Sequence, residues 1–373
     1  MGSSKHTMVV TSDNSLWGWG NNTSGELGLG DTTARKSPVK IMDQVRYVSC
    51  GGNHTLILKK DGTLWACGYN AQGQLGKGDT SGSYVPVQMM SDVKQMSAGV
   101  GHCAAIKDDG SVWTWGYNTR GQLGDGTTTQ RNSPIKVMED GLEIVAGTHS
   151  TFVITKEGIL FGCGFNNTYQ LGVGDNLQKN LLVEIMTGVK KVDAGQSHAM
   201  AIKEDGTLWG WGSNGKGQIG NGALSNIHYP VEIMQGAMEV KAGAQHTLAL
   251  KEDGSLFGFG LNTSGQLGDG TNLDKVTPTK VSDGIKQIAT NANCSLFIKE
   301  DRTMTGTGSN YRFELGLGDN TGRNAQTTIP LAKPMALMNV MNLKQPLISY
   351  LVETIDGMFH FKNAIWNPIE MNQ

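Results

Sequence analysis

The sequence predicts an all-β chain folded as a propeller of four-stranded antiparallel blades. Three observations carry that expectation: a repeat of fixed length, four short apolar runs in each copy, and a first copy that begins part-way through. Trp17, Trp65, Trp113, Phe161, Trp209, Phe257 and Thr305 follow one another every 48 residues, without insertion. A period of this length marks supersecondary units that stack and share a core. Such units contact only their neighbours, so a chain of 373 residues need not split into separate cores.

The third copy shows the elements in order. Val93 to Ala98 reads as a first strand, ending at Gly99, and His102 to Lys107 as a second. Asp109-Gly110 then predicts a type I′ hairpin onto Ser111 to Gly116, because that turn needs positive φ. The same pair recurs at Asp61-Gly62, Asp205-Gly206, Asp253-Gly254 and Asp356-Gly357. An excursion through Gly121-Gln122-Leu123-Gly124 leads to an outer strand, Pro134 to Val137, whose leading proline suits a sheet edge.

Closing the units into a ring removes the unpaired sheet edges. A solenoid is the alternative, but it usually carries polar caps, and His6 to Val10 here matches a second strand. One blade completed from both ends accounts for that offset. Seven copies of the Gly-x-Leu/Ile-Gly segment end at Leu315-Gly316, the fourth with Tyr169 in place of its first glycine. The register then slips around Pro330 to Pro334. Residues 1–373 are therefore read as one propeller domain, with clear repeats over 6–330. Residues 331–373 read as a degenerate last blade or an extra hairpin closing the ring. Strand counting approaches eight blades, against seven with a spare hairpin; seven is the reading adopted.

Bulk properties exclude several classes of function. With 31 Lys+Arg against 33 Asp+Glu, the chain has no basic excess for phosphate contacts, so no nucleic-acid partner is expected. No apolar window reaches a membrane span, and the start lacks the apolar core of a signal peptide. No membrane insertion is expected, and a cytoplasmic location is favoured. The five cysteines are odd in number and lie in predicted strands, which reads as buried free thiols without disulfide or metal framework.

Gly-x-x-His-Thr-Leu-Ala-Leu (Gly243 to Leu250), Asp-Gly-x-Leu-Trp-x-Trp-Gly and Asn-x-x-Gly-Gln-Leu-Gly resemble the repeats of the regulator of chromosome condensation family. The resemblance is strong over about residues 6 to 330 and weak in the tail. It implies a propeller, seven-bladed in known members, and no single activity. Members include an exchange factor for the small GTPase Ran, a plant UV-B photoreceptor and a bacterial inhibitor of β-lactamases. The uninterrupted periods leave no room before residue 305 for the exchange factor's inserted wedge. The photoreceptor's Gly-Trp-Arg-His-Thr motif reads here as Gly52-Asn53-His54-Thr55 and Gly195-Gln196-Ser197-His198, without Trp-Arg. Short, regular repeats of this kind look most like prokaryotic or phage-borne members.

The histidine column, His6, His54, His102, His198 and His246, predicts structural hydrogen bonds to a neighbouring strand or blade. One imidazole per blade spreads the ligands too widely for one metal, so no metal site is expected. Trp17, Trp113 and Trp209 each have a second tryptophan two positions on, so each pair projects from one face of its strand; these, with Trp65, which has Cys67 in that place, are expected to pack between blades. The repeated glycines precede no helix, so they supply turns rather than a phosphate cradle, and no cofactor is expected.

Two sets of segments vary against this constant frame. One precedes each outer strand and contains Arg35, Lys36, Tyr84, Arg131, Lys179, His228, Tyr229 and Lys275. The other precedes the histidine column, as at Asn53, Val100-Gly101 and Thr148-His149. Loops on a rigid frame are where recognition sits. The expectation is a non-enzymatic scaffold binding another macromolecule, a protein first, through variable loops on one face. A structural component of a phage particle or bacterial surface assembly is the alternative, docking through residues 331–373. Guanine-nucleotide exchange on a small GTPase is the third.

Overall fold

The computed structural model describes residues 5–330. Within them, 27 strands form seven antiparallel sheets arranged as blades: His6–Met42, Val45–Met90, Val93–Met138, Gly141–Met186, Val189–Met234, Ala237–Ser282 and Ile285–Thr328. Blades 2 to 7 have four strands; blade 1 has three among the described residues. The expected degenerate unit over 331–373, with Asp356-Gly357, lies outside the described residues. No helix of the described residues is long and apolar enough to cross a membrane.

Blade 2 serves as the pattern. Val45–Cys50 is its inner strand, followed by His54–Lys59, Leu64–Gly68 and the outer strand Ser83–Met90. Successive inner strands are stitched by side chains: Ser49 Oγ accepts from Ala98 N at 3.0 Å, and Ser97 Oγ from Ala146 N at 2.8 Å. Farther round, the Asp193 carboxylate accepts from Ala242 N at 2.8 Å. Backbone groups at the buried central edge thereby find partners, as burial requires.

The units form a ring. Between blades 7 and 1, Glu314 O accepts from Thr7 Oγ1 at 2.7 Å and from Trp19 Nε1 at 2.8 Å. Inside the ring, Gln122 O likewise accepts from Thr151 Oγ1, and Gln74 O from Trp115 Nε1. The closing seam uses the bonds of the internal ones, which a solenoid has no means to do. One apolar cluster runs across it, from Leu296 and Leu315 through Met8 and Trp19 to Val48 and Ile57.

Two local expectations are corrected. The Asp-Gly hairpins are three-residue loops: Gly62 N donates to Lys59 O, Lys59 N to Thr63 O, and Gly62 alone has positive φ, at 79°. The extra residue, Lys60, makes a type I turn followed by a left-handed glycine, in place of type I′. The outer strand of blade 3 is Arg131–Met138, so Pro134 lies inside it, beside a register shift opposite Thr114 and Gly116. An outermost strand tolerates proline where no amide is needed by its single neighbour.

Candidate functional site

Strand direction fixes what shares a face. In every four-stranded blade, the turn between the first two strands and the long loop before the outer strand emerge at the same end. Backbone bonds tie them together: Tyr69 N donates to Asn53 O at 2.8 Å, Phe165 N to His149 O at 2.8 Å, and Leu261 N to Gln245 O at 2.8 Å. The two variable sets of the sequence therefore meet on one face, called here the loop face. The Asp-Gly hairpins lie on the other.

A constant polar frame supports the loop face. Asn70 Nδ2 donates to Asp79 O and Ser81 O, while its Oδ1 accepts from Leu75 N. Asn22, Asn118, Asn166, Asn214, Asn262 and Asn310 accept from the equivalent amide five residues on. Each asparagine thus folds its own loop into a fixed shape.

The histidines hold the seams. Nε2 of His6, His102 and His198 lies 2.8, 2.9 and 3.0 Å from Thr55, Thr151 and Thr247 Oγ1 of the next blade. His54 meets Cys103 Sγ at 3.0 Å and His246 meets Ser295 Oγ at 3.0 Å. Each threonine gives its hydroxyl hydrogen to a carbonyl, as Thr151 does to Gln122 O at 2.7 Å. The hydroxyl oxygen must then accept, so the imidazole carries its hydrogen on Nε2. Burial lowers the pKa of all five rings to about 3, holding them neutral.

The aromatic pairs divide their work. Trp19, Trp115 and Trp211 are fully buried and donate across a seam, to Glu314, Gln74 and Gln170 carbonyls. Cys67 and Cys163 take that column in two blades; all five cysteines are buried free thiols. Trp17, Trp65, Trp113 and Trp209 are half-buried. Trp65, Trp113 and Trp209 donate within their own hairpins, to Thr63, Ser111 and Thr207, with Lys59, Lys107 and Lys203 over the rings.

The candidate binding residues stand around the loop-face rim, at the head of the outer strands, and do not gather at one point. Arg35, Arg131, Lys179 and Lys275 occupy equivalent first positions, and each pairs with an aspartate of its own loop: Asp31, Asp125, Asp175 and Asp269, at 2.6, 2.6, 2.7 and 3.3 Å. Arg323 repeats the pairing with Asp319 at 2.7 Å. Burial alone would raise the Asp125 pKa, but the bonds from Arg131 and Thr127 outweigh it and hold the carboxyl below its usual range. These cations brace loops first.

The next position on each outer strand rests on the preceding blade. Tyr84 covers Gly25 and Asn132 covers Gly73, so closely that a Cβ on either glycine would fall within 3 Å of it. At two seams an aromatic residue replaces that glycine. Tyr169 keeps a left-handed φ of 64° and stacks on His228, with centroids 3.7 Å apart. Phe313, at φ 65°, lies under Lys36 Nζ at 5.4 Å. Tyr84 and Tyr229 remain more than half exposed.

Sequence reading missed a second feature of this face. Tyr117, His149 and Phe165 form a tilted and edge-on series at 6.1 and 6.4 Å, with Arg120 over Phe165 at 4.6 Å. The available signal was the first residue after the third strand: Tyr69, Tyr117 and Phe165 in blades 2 to 4, but Ser213, Leu261 and Ser309 in blades 5 to 7. Among the described residues, no group of three or more His, Cys, Asp or Glu is placed to hold a metal.

Comparison with known proteins agrees with this geometry. The RCC1-like domain profile matches residues 1–235, and the regulator of chromosome condensation (RCC1) repeat matches 239–266 and 253–298. The Arabidopsis thaliana ultraviolet-B receptor UVR8 is 43% identical over 51 residues, covering 13% of this chain and 12% of the receptor's length. Yeast RCC1 (Prp20) bound to Kap60 superposes with a TM-score of 0.77 at 21% identity, over 89% of this chain and 86% of that one. Human WBSCR16 gives 0.75 at 18% identity, over 88% and 94%.

Proposed function

The chain belongs to the family of RCC1-like domains, and on that premise we propose that it is a non-enzymatic scaffold binding another protein through its loop face. One observation carries the reading: both variable sets of segments come to the same end of a ring whose frame is otherwise constant. The recurring histidines, asparagines and buried tryptophans are spent on seams and loop shapes. What changes from blade to blade is the display above them, including Tyr84, Tyr229, the Tyr117–His149–Phe165 series and Arg120. Tyrosine and arginine are the side chains that most often anchor protein interfaces. Yeast Prp20, whose structures include one with Kap60 bound, lends the reading support by fold.

The test is capture with the full chain, followed by binding measurements on whatever dominant protein it retains. Tyr84→Ala and Arg120→Ala should each weaken that complex at least tenfold while leaving the ring's melting temperature within a few degrees. Retention unchanged by both substitutions would remove the loop face from the account.

A further inference from the structure

The repeat makes each blade a control for the others, and the rim of the loop face changes character over blades 4 to 6. The tip of the long loop is Thr32-Thr33, Thr80-Ser81, Thr128-Thr129 and Asn320-Thr321 in blades 1, 2, 3 and 7. In blades 4, 5 and 6 it is Asn176-Leu177, Leu224-Ser225 and Asn272-Leu273, and each leucine is more than half exposed. The heads of the outer strands extend the patch, because each leans on the loop of the blade before it. Gly174 N donates to His228 O at 3.0 Å, and the Tyr229 hydroxyl lies against Gly174, in the loop that carries Leu177. Gly222 N, in the loop that carries Leu224, donates to Val276 O at 2.9 Å. Leu181 pairs through its backbone with Asp125 of blade 3, and its side chain stays more than half exposed. Leu177, Leu181, Leu224, Tyr229, Leu273 and Val276 thus form an apolar arc over three successive blades. Blade 2 also exposes Tyr84 and Val85, but the polar tips Thr32-Thr33 and Thr80-Ser81 flank them on both sides.

Charge disappears at the middle of this arc. Six blades brace the long loop with an ion pair. Blade 5 has none there: residues 217–231 contain no aspartate, glutamate, lysine or arginine. Ala223 and Ile227 stand where blade 4 has Asp175 and Lys179. Neutral groups shape this loop instead, with Asn214 Nδ2 donating to Asn221 Oδ1 at 2.9 Å. The ion pairs of blades 4 and 6 lie on either side. An uncharged apolar centre within a polar margin is the layout of a protein interface. Monomeric proteins seldom leave such a patch in water.

We infer that this arc is a self-association surface, on which a second copy of the chain docks about a two-fold axis crossing the arc at blade 5. In such a contact the same patch serves both copies, and residues on the axis face their own counterparts. A charge on the axis would therefore oppose a like charge, which is costly at an interface. Blade 5 is the blade whose loop carries no such charge. Off the axis, Leu177 and Leu181 of one copy meet Leu273 and Val276 of the other, apolar against apolar. The contact leaves Tyr84 and Arg120, on blades 2 and 3, open to the protein partner proposed above, so the two readings are tested apart.

Sedimentation equilibrium of the purified full chain is the test, and the expected result is a reversible dimer. Leu224→Asp sets a carboxylate on the axis, and Leu224→Thr restores the residue of blades 1 to 3. Each should raise the dimer dissociation constant by about tenfold or more. Val85→Thr should leave it unchanged, and all three variants should melt with the parent chain. The native cysteines are buried, so an introduced surface thiol reports on contacts. Under mild oxidation the Leu224→Cys variant should form a disulfide with its own copy, while Tyr84→Cys should not. Leu177→Cys and Leu273→Cys variants should cross-link to each other when mixed, and neither to itself. A chain that stays monomeric at its highest soluble concentration would overturn the proposal. So would a dimer indifferent to Leu224→Asp, assembly beyond the dimer, or cross-links placing residues 331–373 of the same chain on the arc.

Discussion

His102 Nε2 lies 2.9 Å from the hydroxyl of Thr151, which stands 49 residues later in the next blade and donates in turn to Gln122 O of the first. The relay crosses a seam and returns. Thr151→Val would leave the His102 N–H without a partner and the Gln122 carbonyl with the weak Cys163 thiol donor alone. At about 1–3 kcal/mol for an orphaned group, and less for the weakened carbonyl, the loss should be about 2–4 kcal/mol. Urea denaturation measures it, and a His102→Phe/Thr151→Val pair should cost less than the sum of the single changes.

Acid should unfold the ring through the same residues. His6, His54, His102, His198 and His246 have folded pKa values near 3, below the ordinary value near 6.5. The unfolded chain therefore binds more protons between those limits, and stability falls as pH falls. It is fully present above about pH 6.5. Each neutral histidine should withdraw roughly 1.4 kcal/mol per pH unit once the unfolded rings are charged. Melting temperatures across pH 7 to 4 should drop steeply, and less steeply in a His102→Phe variant.

Ring closure makes a quantitative statement. Trp19 spans the seam between blades 7 and 1 as Trp115 spans that between blades 2 and 3. Truncation of either to alanine should cost about 3–5 kcal/mol, and the two losses should agree within about 1 kcal/mol. A much smaller loss for Trp19→Ala, measured by denaturation, would mean that the closing seam is the weak one.

Much of this architecture is written in period and pattern. The strand order, the buried thiols and the seam-bonding histidines all follow from residues that recur every 48 positions. What escaped was whatever depends on a partner from another part of the chain. Arg131 reads as a free rim cation, yet Asp125, six residues earlier, holds it once the loop folds back. Trp113 and Trp115 look alike in sequence, but only Trp115 reaches the neighbouring carbonyl. Leu182 against five prolines at its position in other blades was legible too, but its meaning needed the folded ring, in which Leu181 pairs with Asp125 of the preceding blade.

Arg131→Ala should leave global stability nearly unchanged, because a rim ion pair contributes under about 1 kcal/mol. The loop it braces should loosen instead. Hydrogen exchange over residues 117–130 should quicken while the neighbouring strands keep their protection.

Tyr169 occupies a left-handed backbone position that glycine fills in five other blades, with its stack on His228 as compensation. Tyr169→Ala keeps the unfavourable backbone and loses the stack. Tyr169→Gly loses the stack and relieves the backbone, so it should be the more stable variant by about 1 kcal/mol. Thermal denaturation of the pair decides the point.

The central claim is that one face of the ring recognises a protein, and lysine-directed cross-linking of the captured complex with mass spectrometry tests it most directly. The account predicts partner cross-links at Lys36, Lys77, Lys216 and Lys275 on the loop face. Cross-links confined to Lys60 and Lys156, in the hairpins of the opposite face, would contradict it.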